Sequence, residues 1–358
     1  MINGHGGNIY GIAERLGCAP SDIIDMSSNV NPLGPPPGLS DFLKENIQGI
    51  ISLPEADAKS ITAKFAGNHG IDKELILAGN GTTQFIYTLP LALEAEKIMI
   101  LGPTYSDYAD ACIMHKVPYA YIMTDESSDF KPDIHHIEKN LQDADICFIC
   151  NPNNPTGVLI PGDDLYQLCK SYPKIIFVID ESYLPFVTNG EAESMIQRRM
   201  LSNLIILNSM SKIFRIPGLR IGFLISSEQI IGKMMRYALP WNVNSLAHAA
   251  VHYITTQQPE MNRFIQMTGE FLETERAYVS EKLRNISGIK IFPSTTSFTL
   301  IQLPDGFKAD TVCDYLLQDR ILVRNCTNFK GLSDRFIRIS LKKRDANLLV
   351  TERLLSLF

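Results

Sequence analysis

The chain has 358 residues, of which 45% are hydrophobic and 20% charged, with a formal net charge of -6. Its length allows two domains, or one large domain with a smaller lobe. The acidic balance argues against a protein held to nucleic acid by phosphate contacts, and no apolar run is long enough to cross a bilayer.

In chain order, the first forty residues carry His5-Gly6-Gly7-Asn8 and then Ser27-Ser28-Asn29-Val30-Asn31-Pro32-Leu33-Gly34. The first run is not a basic segment followed by an apolar one, so no secretory signal is expected and a cytoplasmic location is the default. The Pro/Gly-rich stretch from Asn31 to Gly38 predicts an extended connector. Segment 1–40 is expected to pack beside the C-terminal lobe and the site. From 41 to 245, short β-branched runs alternate with helical patterns. Strands are predicted at 97–101, 119–123, 146–150, 175–179, 204–207 and 221–225. Several are almost wholly apolar, as strands covered on both faces are. The expectation is an α/β large domain, a mainly parallel sheet sandwiched by helices. After Trp241 the pattern changes. One long helix is predicted over 245–286, then strands at 290–292, 298–302, 321–324 and 336–341, a helix over 309–318 and another at the C-terminus. Residues 246–358 thus read as a helical linker and a smaller α+β domain.

The loops after these strands hold the chemistry. Gly79-Asn80-Gly81-Thr82-Thr83 precedes a helix, where backbone N–H groups and hydroxyls suit an anion; a plain helix cap would read the same way. Tyr105, in Gly102-Pro103-Thr104-Tyr105, can stack on a flat ring or simply pack at the surface. Asn151-Pro152-Asn153-Asn154-Pro155-Thr156-Gly157 has more turn chemistry than one turn needs, and Asn154 can donate to a phenolic oxygen. Asp180 closes an apolar strand, where a buried carboxylate needs a cation unless it merely caps a helix. Tyr183 follows three residues on. Lys212 lies in Asn208-Ser209-Met210-Ser211-Lys212, with Arg220 eight residues later. An amine that can form a Schiff base, with hydroxyls and a guanidinium for an anion, suits a cofactor that is both an aldehyde and a phosphate.

In this order and spacing, these motifs resemble the fold type I, aminotransferase-like enzymes dependent on pyridoxal 5'-phosphate (PLP), over essentially the whole chain. The resemblance implies that Lys212 joins the cofactor aldehyde and Asp180 pairs with the pyridine nitrogen. Tyr105 would stack on the ring, and Asn154 and Tyr183 would hold the 3-oxygen. Gly81, Thr82, Ser209, Ser211 and Arg220 would hold the phosphate. The His-Gly-Gly-Asn start, Leu239-Pro240-Trp241-Asn242-Val243-Asn244 and Arg324-Asn325-Cys326-Thr327-Asn328 are similar to the threonine-phosphate decarboxylases, with the histidinol-phosphate aminotransferases as neighbouring relatives. That similarity implies an O-phospho amino acid substrate, its phosphate seated by His5, Asn29 and Arg324 and its carboxylate by Arg338, in a homodimer. Arginine suits both anions, although His5 could cap a turn and both arginines could be surface ion pairs. Transamination, or PLP binding without catalysis, is the alternative. One departure stands out: Ser52-Leu53-Pro54 has leucine where the family usually has a tyrosine that reaches the neighbouring subunit's cofactor phosphate. Either another donor replaces it or the substrate differs.

Other candidates carry less. The seven cysteines are scattered and do not form a disulfide framework. Cys147 and Cys150 lie three apart on a predicted strand and so face opposite sides. His248 and His252 have metal-sharing spacing on a helix, but no third ligand is evident nearby. No metal site is expected.

Overall fold

The computed structural model describes residues 6–141 and 143–358; His5 lies outside the described residues. Two sheets organise the chain. The larger has seven strands: β2 (Ile76–Gly79), β3 (Ile98–Gly102), β4 (Tyr119–Met123), β5 (Ile146–Cys150), β6 (Ile176–Asp180), β7 (Leu204–Ser209) and β8 (Gly222–Ser226), preceded in the chain by β1 (Ile24–Met26). Their order is β2-β8-β7-β6-β5-β3-β4. Every neighbouring pair is parallel except those made by β8, which runs antiparallel to both β2 and β7. In β3 and β5 every residue is buried, which is why these strands read as unbroken apolar runs rather than alternating ones. Helices flank the sheet, as the α/β expectation required.

The smaller sheet adds β9 (Lys290–Ile291), β10 (Phe298–Gln302), β11 (Ile321–Asn325) and β12 (Phe336–Ser340), in the order β1-β11-β12-β10-β9. β1 pairs parallel with β11, which ties the N-terminal segment to the small sheet. β1 and β2 have three and four residues, too short for a periodic signal. They exist because a distant strand supplies their hydrogen bonds.

One sequence expectation is corrected. The helix predicted over 245–286 is two helices, Ser245–Thr256 and Gln258–Leu283. Gln257 leaves helical geometry at φ -104°, ψ 39°, and Pro259 follows in the first turn of the second helix. Proline has no N–H to continue the earlier helix and begins a new one readily.

Cys147 and Cys150 are buried free thiols. Among the described residues no cluster of metal-ligating side chains occurs, and no helix is long and apolar enough to cross a membrane.

Candidate active site

The parallel strands deliver their loops to one edge. In register, Cys150 lies beside Asp180 and Asp180 beside Leu207. The loops bearing Asn154, Asp180 and Lys212 therefore emerge side by side, as ligand-binding loops do in open α/β sheets. Farther along, Gly79 and Ser209 both pair with Gly222.

At that end stands an anion cradle. Gly81, at φ +75°, caps the helix Thr82–Ala92. A Cβ on Gly81 would come within 2.7 Å of Arg220 Nη2, and one on Gly222 within 2.6 Å of the Thr82 nitrogen. Only glycine allows the guanidinium and the helix N-terminus to converge so closely, and both favour an anion. Arg220 itself takes a left-handed conformation. Ser211 is buried, and its hydroxyl donates to the Ile221 carbonyl at 3.2 Å, closing the lysine loop. Ser209 is buried at the start of that loop.

Lys212 sits in the short helix Met210–Ile213. Burial, and then the nearby Arg220, push its amine below the ordinary lysine value, opposed by Asp180. A neutral amine is the nucleophilic form. Asp180 is buried at the end of β6, accepting from Tyr108 Oη at 2.8 Å and from the Ser182 N–H at 2.9 Å. Burial pushes its carboxyl above the ordinary value despite those bonds. Such a carboxylate gains from a cation placed against it, and a protonated ring nitrogen is one. Tyr105 and Tyr183 border the same cavity as Lys212, together with Asn154, Asn29, Arg324 and Arg338. Burial drives the Tyr105 hydroxyl far up and the Tyr183 hydroxyl to about 12, so both remain protonated donors. The anion cradle, the buried carboxylate and the depressed lysine fit PLP.

Two cations face the cavity from the small sheet. Arg324 on β11 and Arg338 on β12 are direct cross-strand partners. Like charges in that relation repel. Burial pushes the Arg324 guanidinium down to about 10, and Arg338 adds to the effect. The acceptors around them include uncharged oxygens. Arg324 donates to the Asn325 carbonyl and to Asn328 Oδ1, and lies 5.0 Å over the Phe329 ring. Arg338 donates to the Ser27 carbonyl at 2.6 Å and to Asn154 Oδ1, while its Nε is buried without a partner among the described residues. A pair of this kind is suited to anions.

Some residues of the site have roles that the sequence alone did not suggest. Tyr108 holds Asp180 from the next helix, three residues after Tyr105. Asn328 and Phe329 support Arg324 one helical turn beyond it in sequence, though from a loop. Ser340 donates to Asn29 Oδ1 at 2.6 Å, and Asn29 Nδ2 donates to Tyr183 Oη at 3.2 Å. Asn29 therefore stands at Tyr183. Period-2 spacing from Arg338 places Ser340 on the same face of β12, the one available hint.

A cavity of about 580 Å³ lies behind Ser209 and Met210, larger than the roughly 150 Å³ space at Lys212. Among the described residues no lysine or arginine lines the larger one, whereas Lys212, Arg324 and Arg338 line the smaller.

Residues 21–352 match the family described as aminotransferase class I and II. The chain is 31% identical over 358 residues to a threonine-phosphate decarboxylase of Salmonella typhimurium, covering 98% of this chain and 94% of that protein. It is 32% identical to the adenosylcobalamin biosynthesis bifunctional protein CobDQ of Leptospira interrogans, covering 99% of this chain but spanning only 41% of that protein's length. Among solved structures, the L-threonine-O-3-phosphate decarboxylase of Porphyromonas gingivalis superposes with a TM-score of 0.83 at 27% identity, over 94% of this chain and 99% of that one. A histidinol-phosphate aminotransferase from Clostridium acetobutylicum gives 0.85 at 28%, with the same coverage. The fold is also that of a histidinol-phosphate aminotransferase from Sinorhizobium meliloti solved in complex with PLP, at a TM-score of 0.83 and 16% identity over 98% of this chain and 95% of that one.

Proposed function

The chain belongs to the class I and II aminotransferase family, whose cofactor is PLP, and on that premise we propose that it removes CO2 from an O-phospho amino acid. The substrate is L-threonine O-3-phosphate, giving (R)-1-amino-2-propanol phosphate, or L-serine O-phosphate, giving ethanolamine phosphate, as a step of cobamide synthesis. The observation that carries this reading is the cross-strand pair Arg324 and Arg338. The two guanidinium groups border the lysine's cavity and match a substrate with two anionic ends. The named decarboxylase relatives support it.

Bound PLP supplies an electron sink for the substrate's α-carbon. This chain's residues do the rest. Arg338 binds the carboxylate and Arg324 the phosphate, which fixes the bond of the α-carbon presented to the ring. His5 and Asn29 complete the phosphate's seat in this reading. Tyr105, which borders the cavity, would cover one ring face. Each CO2 lost leaves an electron pair that takes up one proton, and in this reading Lys212 Nζ delivers it after first taking it from the substrate's ammonium group. The test is CO2 release from PLP-loaded protein given each phospho amino acid with no keto acid. Release from either supports the reading, and the rate ratio names the substrate. One methyl group discriminates by only about 1–3 kcal/mol, so both are expected to react. No CO2 from either sinks it.

The second reading is transamination of histidinol phosphate, which the similarity to the Clostridium acetobutylicum structure favours. It requires 2-oxoglutarate and yields glutamate, so the same assay separates the two.

The active form in this reading is a homodimer. Ile50, Ile51 and Leu53 are 62%, 77% and 74% exposed, and Leu239 and Trp241 are exposed beside them. The two segments are tied by the Trp241 N–H donating to the Ala56 carbonyl at 3.0 Å. An apolar patch of this kind marks a protein interface, and a second copy buries it on both sides. Leu53→Glu is expected to run at one chain's 40.1 kDa in light scattering and to lose CO2 release. A Leu53→Glu protein that remains dimeric removes this patch from the interface.

A further inference from the structure

A phenol has one proton to give. Whether Tyr183 gives it to the cofactor depends on what its oxygen meets on the other side. There Asn29 Nδ2 donates to Tyr183 Oη at 3.2 Å, and Asn29 Oδ1 accepts from Ser340 Oγ at 2.6 Å. All three residues are buried. A primary amide has an accepting end and a donating end. With the Ser340 hydroxyl on the accepting end, only the NH2 end faces Tyr183. The phenol then accepts from Asn29, and its own proton is directed into the cavity. Without the serine hydroxyl the amide can turn over. Its carbonyl would then take the phenol's proton, leaving a lone pair where a donor is needed.

We infer that Ser340 is a positioning residue that, through Asn29, keeps Tyr183 a hydrogen-bond donor to the phenolic oxygen of PLP. The surrounding geometry agrees. Phe298, the cross-strand partner of Ser340, meets the Tyr183 ring edge-on at 5.2 Å and 83°. Thus the β10–β12 pair grips the tyrosine twice, at its ring directly and at its hydroxyl through Asn29. The chain of bonds starts on the small sheet, passes through the N-terminal segment and ends beyond β6 of the large sheet. Buried networks of this kind polarise along their length. Proton affinity at the cofactor is thereby linked to the seating of the small sheet.

A donor on the phenolic oxygen stabilises its anionic form, and so lowers the proton affinity of the neighbouring lysine-linked nitrogen. The readout is the pH dependence of the visible absorbance of the PLP-loaded protein without substrate. It rests on cofactor binding and not on which substrate bond breaks, so its failure is distinct from a failure to release CO2. Tyr183→Phe should raise the apparent pKa of that band. Ser340→Ala should raise it in the same direction by roughly 0.5–1 unit, the worth of one buried hydrogen bond. In a Tyr183→Phe background, Ser340→Ala should add nothing, as coupled residues require. Ser340→Thr keeps the hydroxyl and Ser340→Val has the same shape without it. Only the valine variant should shift, which holds the test to the hydroxyl if the alanine variant packs poorly. An unchanged titration in both Ser340→Ala and Ser340→Val overturns the inference. So does a shift that persists in full when Tyr183 is already phenylalanine.

Discussion

Lys212→Ala is expected to lose the visible absorbance of covalently held PLP and to lower kcat by at least about a thousandfold, since in the proposed mechanism it removes both the attachment point and the proton carrier. The fold should survive. The amine is a cation pushed toward neutrality by burial and by Arg220, so deleting it relieves a cost. Circular dichroism and absorbance on the same sample check both halves, and full turnover in the variant would remove Lys212 from the mechanism. The depressed amine also sets a pH dependence. A base whose folded pKa is lowered sheds its proton earlier as pH rises. The rate at which the PLP-free protein captures added PLP should therefore climb with pH and level off below the ordinary 10.5. A plateau reached only above 10.5 contradicts a lysine depressed by its burial and by Arg220.

Asp180→Asn is expected to pull activity and stability in opposite directions. In the cofactor-free protein, burial raises the Asp180 carboxyl above its ordinary 3.8. Between 3.8 and that raised value the folded state holds more protons than the unfolded one. Stability therefore falls as pH rises through the window, and the full cost is present above it. Asparagine carries no charge. It can still accept from the Ser182 N–H and can donate to Tyr108 Oη, so the cofactor-free variant should melt at an equal or higher temperature, by about 1–2 °C per kcal/mol relieved. With PLP, the sign reverses. The carboxylate that costs stability when alone would pair with a protonated pyridine nitrogen in the proposed site, and the amide would not. A loss of about 10²–10³-fold in kcat is expected, the scale seen on removing one preorganised electrostatic partner. Thermal melts with and without PLP, alongside CO2 release, make the comparison. A variant less stable without PLP would mean that the bonds from Tyr108 and Ser182 outweigh the buried charge. This is a local form of the trade between a site's readiness and the fold's stability.

The candidate cofactor loops stand out in the sequence because each is a local device. Gly81-Thr82 opens a helix, Asp180 ends an apolar strand, and Lys212 follows another with two hydroxyls just before it. Turn chemistry and period-2 runs encode such features over a few residues. The strands predicted at 119–123, 146–150 and 298–302 coincide with those observed for the same reason: their burial pattern lies within the run itself.

What the tertiary structure alone decided is how distant segments meet. Arg324 stands opposite Arg338 because of strand register, which no single strand carries. Arg220 reaches Gly81 because β8 runs backward between β2 and β7. Ser340 and Asn29 are 311 residues apart in sequence. Ser340 alone reads as an ordinary polar residue at a strand end, and nothing in the run around Asn29 points to it. Sequence pattern specifies conformation over one or two turns or a single strand. The direction in which a buried amide or phenol presents its proton depends on which partner packing brings to its other side.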